Sequence, residues 1–170
     1  MSADNGIVAQ DVSVRQAVPD DFEALHEVDG RVFGDLGYPY FTLRQLFDGF
    51  PECWLVAAGS KGLVGYSLGV PSIDRSYAWL FGLAVDAAHR NRGYGRRLTV
   101  ATLDMLRAMR VETVRLTTEP ENEAAIRLYQ AFGFRETGFR KNYLGPGEHR
   151  LLMTLRLGGI PTPRPDRGQG

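Results

Sequence analysis

The chain has 170 residues, of which 44% are hydrophobic and 24% are charged. A chain of this length folds as one ordinary domain and buries roughly 70% of the surface that it would expose when unfolded. Its 20 basic side chains balance 20 acidic ones. No excess charge therefore favours nucleic acid or an anionic membrane as a partner.

The sequence also predicts no disulfide and no metal site. Cys53 is the only cysteine, and it lies beside Trp54 in an apolar run, which is typical of a buried structural thiol. The three histidines are far apart and lack the spacing of metal ligands. The N-terminus is polar, and no stretch approaches the roughly 20 apolar residues that span a bilayer. We expect a cytoplasmic monomer or homodimer.

The two ends of the chain differ from its middle. Residues 1–11 are polar and aperiodic, and residues 158–170 are rich in Gly, Pro and Arg. Such segments cannot bury enough apolar surface to fold, so both are expected to be flexible tails. The domain itself is predicted to cover residues 12–157.

The first elements follow from hydrophobic periodicity. Alternation over residues 12–17 predicts a short strand, and apolar residues at spacings of three and four from Phe22 to Val32 predict an amphipathic helix. Gly34, Gly37 and Pro39 end that helix. Thr42 is then predicted to cap a second short helix.

The later elements alternate between strands and helices. Apolar runs at 54–58 and 63–70 predict a hairpin, and a third strand follows at 77–85. The pattern then predicts a helix at 93–109, a strand at 111–118, a helix at 122–132 and a strand pair at 134–140 and 150–157. Antiparallel neighbours followed by helical crossovers indicate a mixed α+β fold, a three-layer α/β/α arrangement with helices on the faces of the sheet.

A turn rich in Gly and Arg lies between the third strand and the long helix. A helix N-terminus offers unpaired N–H groups and a positive dipole end, and glycine lets the backbone approach a phosphate closely. The turn therefore predicts a pyrophosphate site, although an exposed helix start of the same composition is about equally common for such a motif alone. Its residues are Arg90, Asn91, Arg92, Gly93, Tyr94, Gly95 and Arg96.

Three segments in this order resemble the GNAT superfamily of acyl-coenzyme A dependent N-acetyltransferases. Residues 83–85 followed by 90–95 look like its motif Arg/Gln-x-x-Gly-x-Gly/Ala after a strand. Residues 122–134 look like Asn-x-x-Ala-x-x-Leu-Tyr-x-x-x-Gly-Phe. The closing hairpin, with Asn142 and Tyr143, is similar to that of bacterial protein N-terminal acetyltransferases. The resemblance implies about seven mostly antiparallel strands with a central splay, and about four helices.

The resemblance also implies a site for acetyl-coenzyme A. The strand carrying Leu83, Ala84 and Val85 would pair with the pantetheine arm, and N–H groups of the turn would hold the pyrophosphate. Asn122 would cap its helix and lie near the pantetheine amide. Tyr129 matches the family's general acid, which protonates the leaving sulfur; packing in the core is its other possible role.

The general base stays open, because Thr117 stands where similar N-terminal acetyltransferases have a carboxylate. Glu119 is a weak candidate, and Glu121, Asp35 or a water chain would also serve. The acceptor is predicted to be a small-molecule amine or a protein N-terminus. Its wall would comprise Phe33, Asp35, Tyr38, Tyr40 and Tyr143, although at least half of these rings are expected to pack the loop onto the sheet. A non-catalytic acyl-coenzyme A sensor is the alternative function, and a nucleotide-phosphate binder is a third.

Overall fold

A computed structural model describes residues 12–158 of the chain. The predicted tails, 1–11 and 158–170, lie outside the described residues except for Gly158, and the domain bounds stay a prediction. The described residues form two compact units. Unit one contains the residues up to Val70 together with Phe81–Thr102, and unit two contains Pro71–Leu80 together with the residues from Leu103 onward.

The described part of the chain contains one seven-stranded sheet, in the order β1-β2-β3-β4-β5-β7-β6. The predicted hairpin is confirmed as β2 and β3, which pair antiparallel. The strands are β1 (Ser13–Gln16), β2 (Trp54–Gly59), β3 (Gly62–Pro71), β4 (Ala78–Val85), β5 (Thr113–Thr118), β6 (Arg135–Arg140) and β7 (Arg150–Arg156).

Between residues 12 and 158 there are also four α-helices, which together with the mixed sheet confirm the predicted fold class. They are α1 (Phe22–Phe33), α2 (Tyr40–Gly49), α3 (Tyr94–Ala108) and α4 (Glu123–Ala131). The predicted cap at Thr42 is wrong, because α2 already begins at Tyr40 with Pro39 as its N-cap residue. The carbonyl of Pro39 accepts the first helical hydrogen bond, from the N–H of Leu43 at 2.9 Å, so Tyr40 and Phe41 belong to the helix rather than to a loop.

The change from antiparallel to parallel pairing occurs at β4. This strand pairs in parallel with β5 over three residue pairs, from Ala78 with Val114 to Leu80 with Leu116. It then continues for five more residues to Val85. Beyond the parallel pair, β5 and β6 each pair antiparallel with β7.

The core of unit one packs α1 and α2 against β2 and β3. Phe22, Leu25 and Leu43 from the helices join Trp54 and Tyr66 from the strands, and all five side chains are buried. The spacing of three and four along α1 produces this packing, because it places Phe22, Leu25 and Val28 on one helix face. Cys53 belongs to the same buried cluster, as predicted.

In unit two, Gly133 ends α4 and accounts for the Gly-Phe pair at the end of the motif in residues 122–134. It has a φ of +92°, a conformation that glycine adopts at little cost and that commonly ends helices. Its N–H donates to Gln130 O, and the N–H of Phe134 donates to Tyr129 O. The ring of Phe134 is thereby brought against the ring of Tyr129, with centroids 5.6 Å apart.

Among residues 12–158, no helix is both long and apolar enough to cross a membrane. Nor do three or more His, Cys, Asp or Glu side chains of this range group together in a way that would hold a metal ion. A cytoplasmic location and a monomeric or dimeric state stay predictions.

Candidate active site

The turn predicted to bind pyrophosphate, residues 90–96, lies where β4 leads into α3, and its last three residues form the start of α3. We call residues 86–93, which connect the two elements, the β4–α3 turn. Asp86 begins it, and its carboxylate accepts a hydrogen bond from the N–H of Ala88 at 3.1 Å. The same carboxylate accepts a hydrogen bond from Arg31 Nε at 2.7 Å. The N–H of Ala88 and then the Arg31 guanidinium lower the pKa of Asp86 below its usual value. The start of the turn is thus fixed to α1.

The backbone of the turn is left-handed at two residues, and one of them borders open space. Asn91 and Gly93 both have positive φ, +60° and +79°, and a Cβ added at Gly93 would meet no atom within 4 Å. The first N–H of α3 to bond back along the helix is that of Arg97, which donates to Gly93 O. The N–H groups of Tyr94 and Gly95 precede it, at the positive end of the helix dipole.

Charge in the turn agrees with this geometry. Arg90, Arg92 and Arg97 have no ion-pair partner among the described residues, so their charges are available to a phosphate. Arg90 Nε donates to Val85 O at 3.3 Å, which holds that side chain at the end of β4. Beside it, His89 Nδ1 is buried without a hydrogen-bond partner in the part of the chain that the structure describes. The residues of the turn therefore fit the pyrophosphate of coenzyme A.

The strand predicted to contact the pantetheine arm is held by close backbone packing. Ala84 is fully buried, whereas Leu83 and Val85 are half-buried. A Cβ added at Gly65 in β3 would lie 2.5 Å from Ala84 O. Only glycine allows β3 to approach the carbonyl so closely, so Gly65 fixes the position of this segment of β4.

Unit two contains the other two predicted cofactor residues, Asn122 and Tyr129. The Asn122 side chain accepts a hydrogen bond from the N–H of Ala125 at 3.1 Å, which confirms its capping role. Tyr129 is 7% exposed, and burial raises the pKa of its hydroxyl. No described residue forms a hydrogen bond with that hydroxyl. A buried, protonated phenol without an internal partner is suited to donating a proton to a ligand.

The position of Glu119 offers little support for a base. Its side chain is half-exposed, and its Oε1 lies 4.0 Å from a guanidinium nitrogen of Arg150. Arg150 is 6% exposed and also pairs with Glu148 at 3.1 Å. Thr117 is half-buried in β5, opposite Leu152.

The predicted acceptor wall is divided between the units. In unit one, Phe33 ends α1, Asp35 lies in the short 3₁₀ turn Gly34–Leu36, and Tyr38 is half-buried. Tyr40 lies in the first turn of α2, where its hydroxyl donates to Glu23 at 2.7 Å and its ring meets that of Phe22 edge-on. Tyr143 belongs to unit two and is exposed.

One group in unit one was not anticipated from the sequence. Asp29 is 1% exposed in α1 and accepts hydrogen bonds from the Tyr66 hydroxyl at 2.6 Å and from the N–H of Tyr38 at 2.7 Å. The sequence does indicate that Asp29 is buried, because it follows Leu25 by four residues and therefore falls on the apolar face of α1. An acid at such a position predicts a buried carboxylate with dedicated donors.

Comparison with known proteins identifies the family. Residues 15–134 match the Acetyltransferase (GNAT) family. The chain is 37% identical over 158 residues to the [Ribosomal protein bS18]-alanine N-acetyltransferase of Haemophilus ducreyi, covering 85% of this chain and 99% of that relative. It is 42% identical over 131 residues to the enzyme of the same name from Salmonella typhimurium, covering 69% of this chain and 88% of the relative.

Two solved structures share the fold of this chain. The crystal structure of Ard1 from Thermoplasma volcanium superposes with a TM-score of 0.78 at 26% identity, covering 85% of this chain and 97% of that one. The ribosomal-protein alanine N-acetyltransferase from Escherichia coli gives a TM-score of 0.76 at 24% identity, covering 88% and 96%. The chain belongs to the GNAT family, and the predictions of an N-acetyltransferase and of acetyl-coenzyme A as its acetyl donor are confirmed.

Proposed function

We propose that this enzyme acetylates the α-amine at a protein N-terminus, and that the N-terminal alanine of ribosomal protein bS18 is its first candidate acceptor. The observation that carries the proposal is the 37% identity to the Haemophilus ducreyi enzyme of that name, because the match spans 99% of the relative. The 42% identity to the Salmonella typhimurium enzyme supports the same acceptor.

Exposed apolar side chains support a peptide acceptor over a small polyamine. In unit one, Phe33, Leu36 and Phe41 are exposed, and Phe41 reaches 68%. In unit two, Tyr143 and Leu144 are exposed in the segment between β6 and β7. Large apolar side chains that water surrounds commonly mark surfaces that bind another chain.

We assign the cofactor residues from the fit of the β4–α3 turn. The N–H groups of residues 91–96 and the guanidinium groups of Arg90 and Arg92 would hold the pyrophosphate. Leu83–Val85 would pair with the pantetheine arm, and Asn122 would lie near the pantetheine amide. Acetyl-coenzyme A supplies the acetyl group as a thioester. A backbone N–H near Leu83 would face the thioester oxygen.

Tyr129 is the proposed general acid. Its raised pKa keeps the proton on Oη through neutral pH, and the absence of an internal acceptor within the described chain leaves that proton free for a leaving thiolate. We assign no general base. Glu119 faces Arg150, and Glu121, Asp35 or a water chain stays an alternative because Thr117 carries no carboxylate.

The proposal is tested by measuring thiol release with acetyl-coenzyme A and a panel of amines. The panel contains a peptide that starts with alanine, the same peptide with a blocked α-amine, and a polyamine. We expect release with the free peptide only. Release with the polyamine alone would assign a small-molecule acceptor, and tight coenzyme A binding without release for any amine would favour the acyl-coenzyme A sensor.

A further inference from the structure

The carboxylate of Asp29 is buried with hydrogen-bond donors but with no cation. It is 1% exposed, and no Lys, Arg or His among residues 12–158 forms an ion pair with it. Each carboxylate oxygen accepts a different hydrogen bond: Oδ1 accepts one from Tyr66 Oη at 2.6 Å, and Oδ2 accepts one from the N–H of Tyr38 at 2.7 Å. Both distances lie at the short end of the range for protein hydrogen bonds.

One of these bonds fixes the segment between α1 and α2, which we call the α1–α2 loop (residues 34–39). Tyr38 lies inside the loop, and Gly37 precedes it. A Cβ added at Gly37 would lie 2.9 Å from Asp29 Oδ2 and 3.0 Å from Gly34 O. The loop backbone is therefore packed directly on the carboxylate, and the N–H of Gly37 closes the turn by donating to Gly34 O.

The other bond leads to β4, the strand that would contact the cofactor in the proposed function. Tyr66 is fully buried in β3, and its ring and hydroxyl lie against Gly82 in β4. A Cβ added at Gly82 would be 3.1 Å from Tyr66 Oη. Gly82 immediately precedes the Leu83–Val85 segment. The contacts from the α1–α2 loop through Asp29 and Tyr66 to β4 all lie within unit one.

We propose that Asp29 and Tyr66 are positioning residues, which hold the α1–α2 loop in a fixed place relative to residues 82–85 and so set how the acceptor is presented to the acetyl donor. This inference rests on the proposed function, since it takes the α1–α2 loop as part of the acceptor wall. We place neither side chain at the reacting atoms. Their effect is carried by the loop backbone and by β4.

Variants at Asp29 and Tyr66 differ in which hydrogen bonds of the Asp29 carboxylate they remove. Asp29→Ala removes both hydrogen bonds, and Tyr66→Phe leaves Oδ1 buried without a donor. Asp29→Asn can keep both contacts, because the amide oxygen accepts from Tyr38 and the amide N–H donates to Tyr66 Oη, which can also accept. Ser67→Ala is the matched control. It removes another buried hydrogen bond of β3, the 2.6 Å contact between Ser67 Oγ and Thr102 Oγ1.

Steady-state kinetics with a peptide that starts with alanine gives the first readout. We expect Asp29→Ala and Tyr66→Phe to raise the acceptor KM about tenfold, while the Kd of coenzyme A stays near the wild-type value. The acceptor KM of Asp29→Asn should lie close to the wild-type value, and Ser67→Ala should leave the acceptor KM unchanged. An equal rise in Ser67→Ala would overturn the inference, because general loss of stability would then explain it.

Amide hydrogen exchange gives a readout that needs no acceptor. The N–H of Tyr38 should exchange faster in Asp29→Ala than in the wild-type protein and keep its protection in Ser67→Ala. Unchanged exchange at Tyr38 would overturn the positioning role whatever the acceptor is. Faster exchange in the variant, combined with no acetyl transfer by the wild-type enzyme to any peptide, would support the role of Asp29 and reject the proposed function.

Discussion

Arg31 Nε lies 2.7 Å from Asp86 Oδ2, so a side chain of α1 is ion-paired with the first residue of the β4–α3 turn. Asp86 also caps the short 3₁₀ turn Ala87–His89. The carboxylate is thus held between the helix that precedes the α1–α2 loop and the turn that holds the pyrophosphate in our proposal. Its role is to fix the direction in which the turn leaves β4.

Asp86→Ala should therefore weaken coenzyme A binding. The change removes the cap on Ala88 and the ion pair with Arg31. The free turn would then be less ordered, and anion binding would have to restrict its backbone. We expect the Kd to rise about three- to tenfold, as for the loss of a helix cap or of a partly exposed charged bond. Calorimetric titration checks this, with Asp48→Ala as the control because Asp48 pairs with Arg44 on the exposed side of α2.

The same residue predicts a pH dependence of stability. The pKa of Asp86 is lowered in the folded chain, so its stabilising contribution is complete above the unfolded pKa of about 3.9 and is lost as pH falls through the folded value. The free energy of unfolding of Asp86→Ala should therefore approach that of the wild-type protein in acid. A difference that grows toward low pH would contradict this assignment.

Gly93→Ala should separate backbone strain from side-chain packing. The added methyl group has open space, so its cost comes from the φ of +79° and should be about 1 kcal/mol in the free energy of unfolding. Gly62→Ala is matched to it, since Gly62 has a φ of +114° and equally open space in the hairpin between β2 and β3. Both variants should lose stability, but only Gly93→Ala should also weaken coenzyme A binding.

Arg92→Ala should weaken coenzyme A binding in a salt-dependent way. Arg92 is exposed and has no ion-pair partner in residues 12–158, so its contribution is a charge acting on phosphate. The Kd of coenzyme A should be about tenfold higher for the variant than for the wild-type protein near 0.01 M salt. This ratio should shrink toward 1 M salt, because the Debye length falls from about 30 Å to about 3 Å. Arg107→Ala, at the other end of α3, should change neither the Kd nor its salt slope.

Tyr129→Phe should lower turnover without lowering stability. The hydroxyl has no hydrogen-bond partner in the described chain, so its removal leaves no internal group unsatisfied, and the free energy of unfolding should change by less than about 0.5 kcal/mol. Loss of the general acid should reduce kcat about 100-fold. Tyr77→Phe in the same unit is the control. A large loss of coenzyme A affinity with normal kcat would reassign Tyr129 to binding.

The raised pKa of the Tyr129 hydroxyl also predicts how stability and activity depend on pH. Because its folded pKa lies above the unfolded value of about 10, its contribution to stability is complete below that pH and is lost as pH rises toward the folded value. Activity should accordingly not decline between neutral pH and pH 9 through loss of the Tyr129 proton. A decline there that disappears in Tyr129→Phe would contradict the assignment.

Features that depend on neighbouring residues could be predicted from the sequence. The β4–α3 turn was found from Gly and Arg at a strand-to-helix junction, and the cap at Asn122 follows from the chemistry of its amide. The predicted start of α2 at Thr42 is too late, because the carbonyl of Pro39 accepts the first hydrogen bond of the helix.

Features that join distant parts of the chain were not predicted. Arg31 and Asp86 are 55 residues apart, and Asp29 and Tyr66 are 37 apart, so no local pattern relates them. The position of Asp29 on the apolar face of α1 was readable, but its donors were not, since they depend on how β3 and the α1–α2 loop pack. The general base also stays unassigned, because Thr117 stands where the family resemblance implies a carboxylate and no neighbouring residue identifies a substitute.

In the proposed function, the acetyl group goes to an α-amine at a protein N-terminus. The most direct test incubates the enzyme and acetyl-coenzyme A with a peptide that starts with alanine and contains an internal lysine, and then locates the modification by tandem mass spectrometry. We expect one acetyl group, on the alanine nitrogen. Acetylation confined to the lysine side chain, or none while a polyamine in the same tube is acetylated, would contradict it.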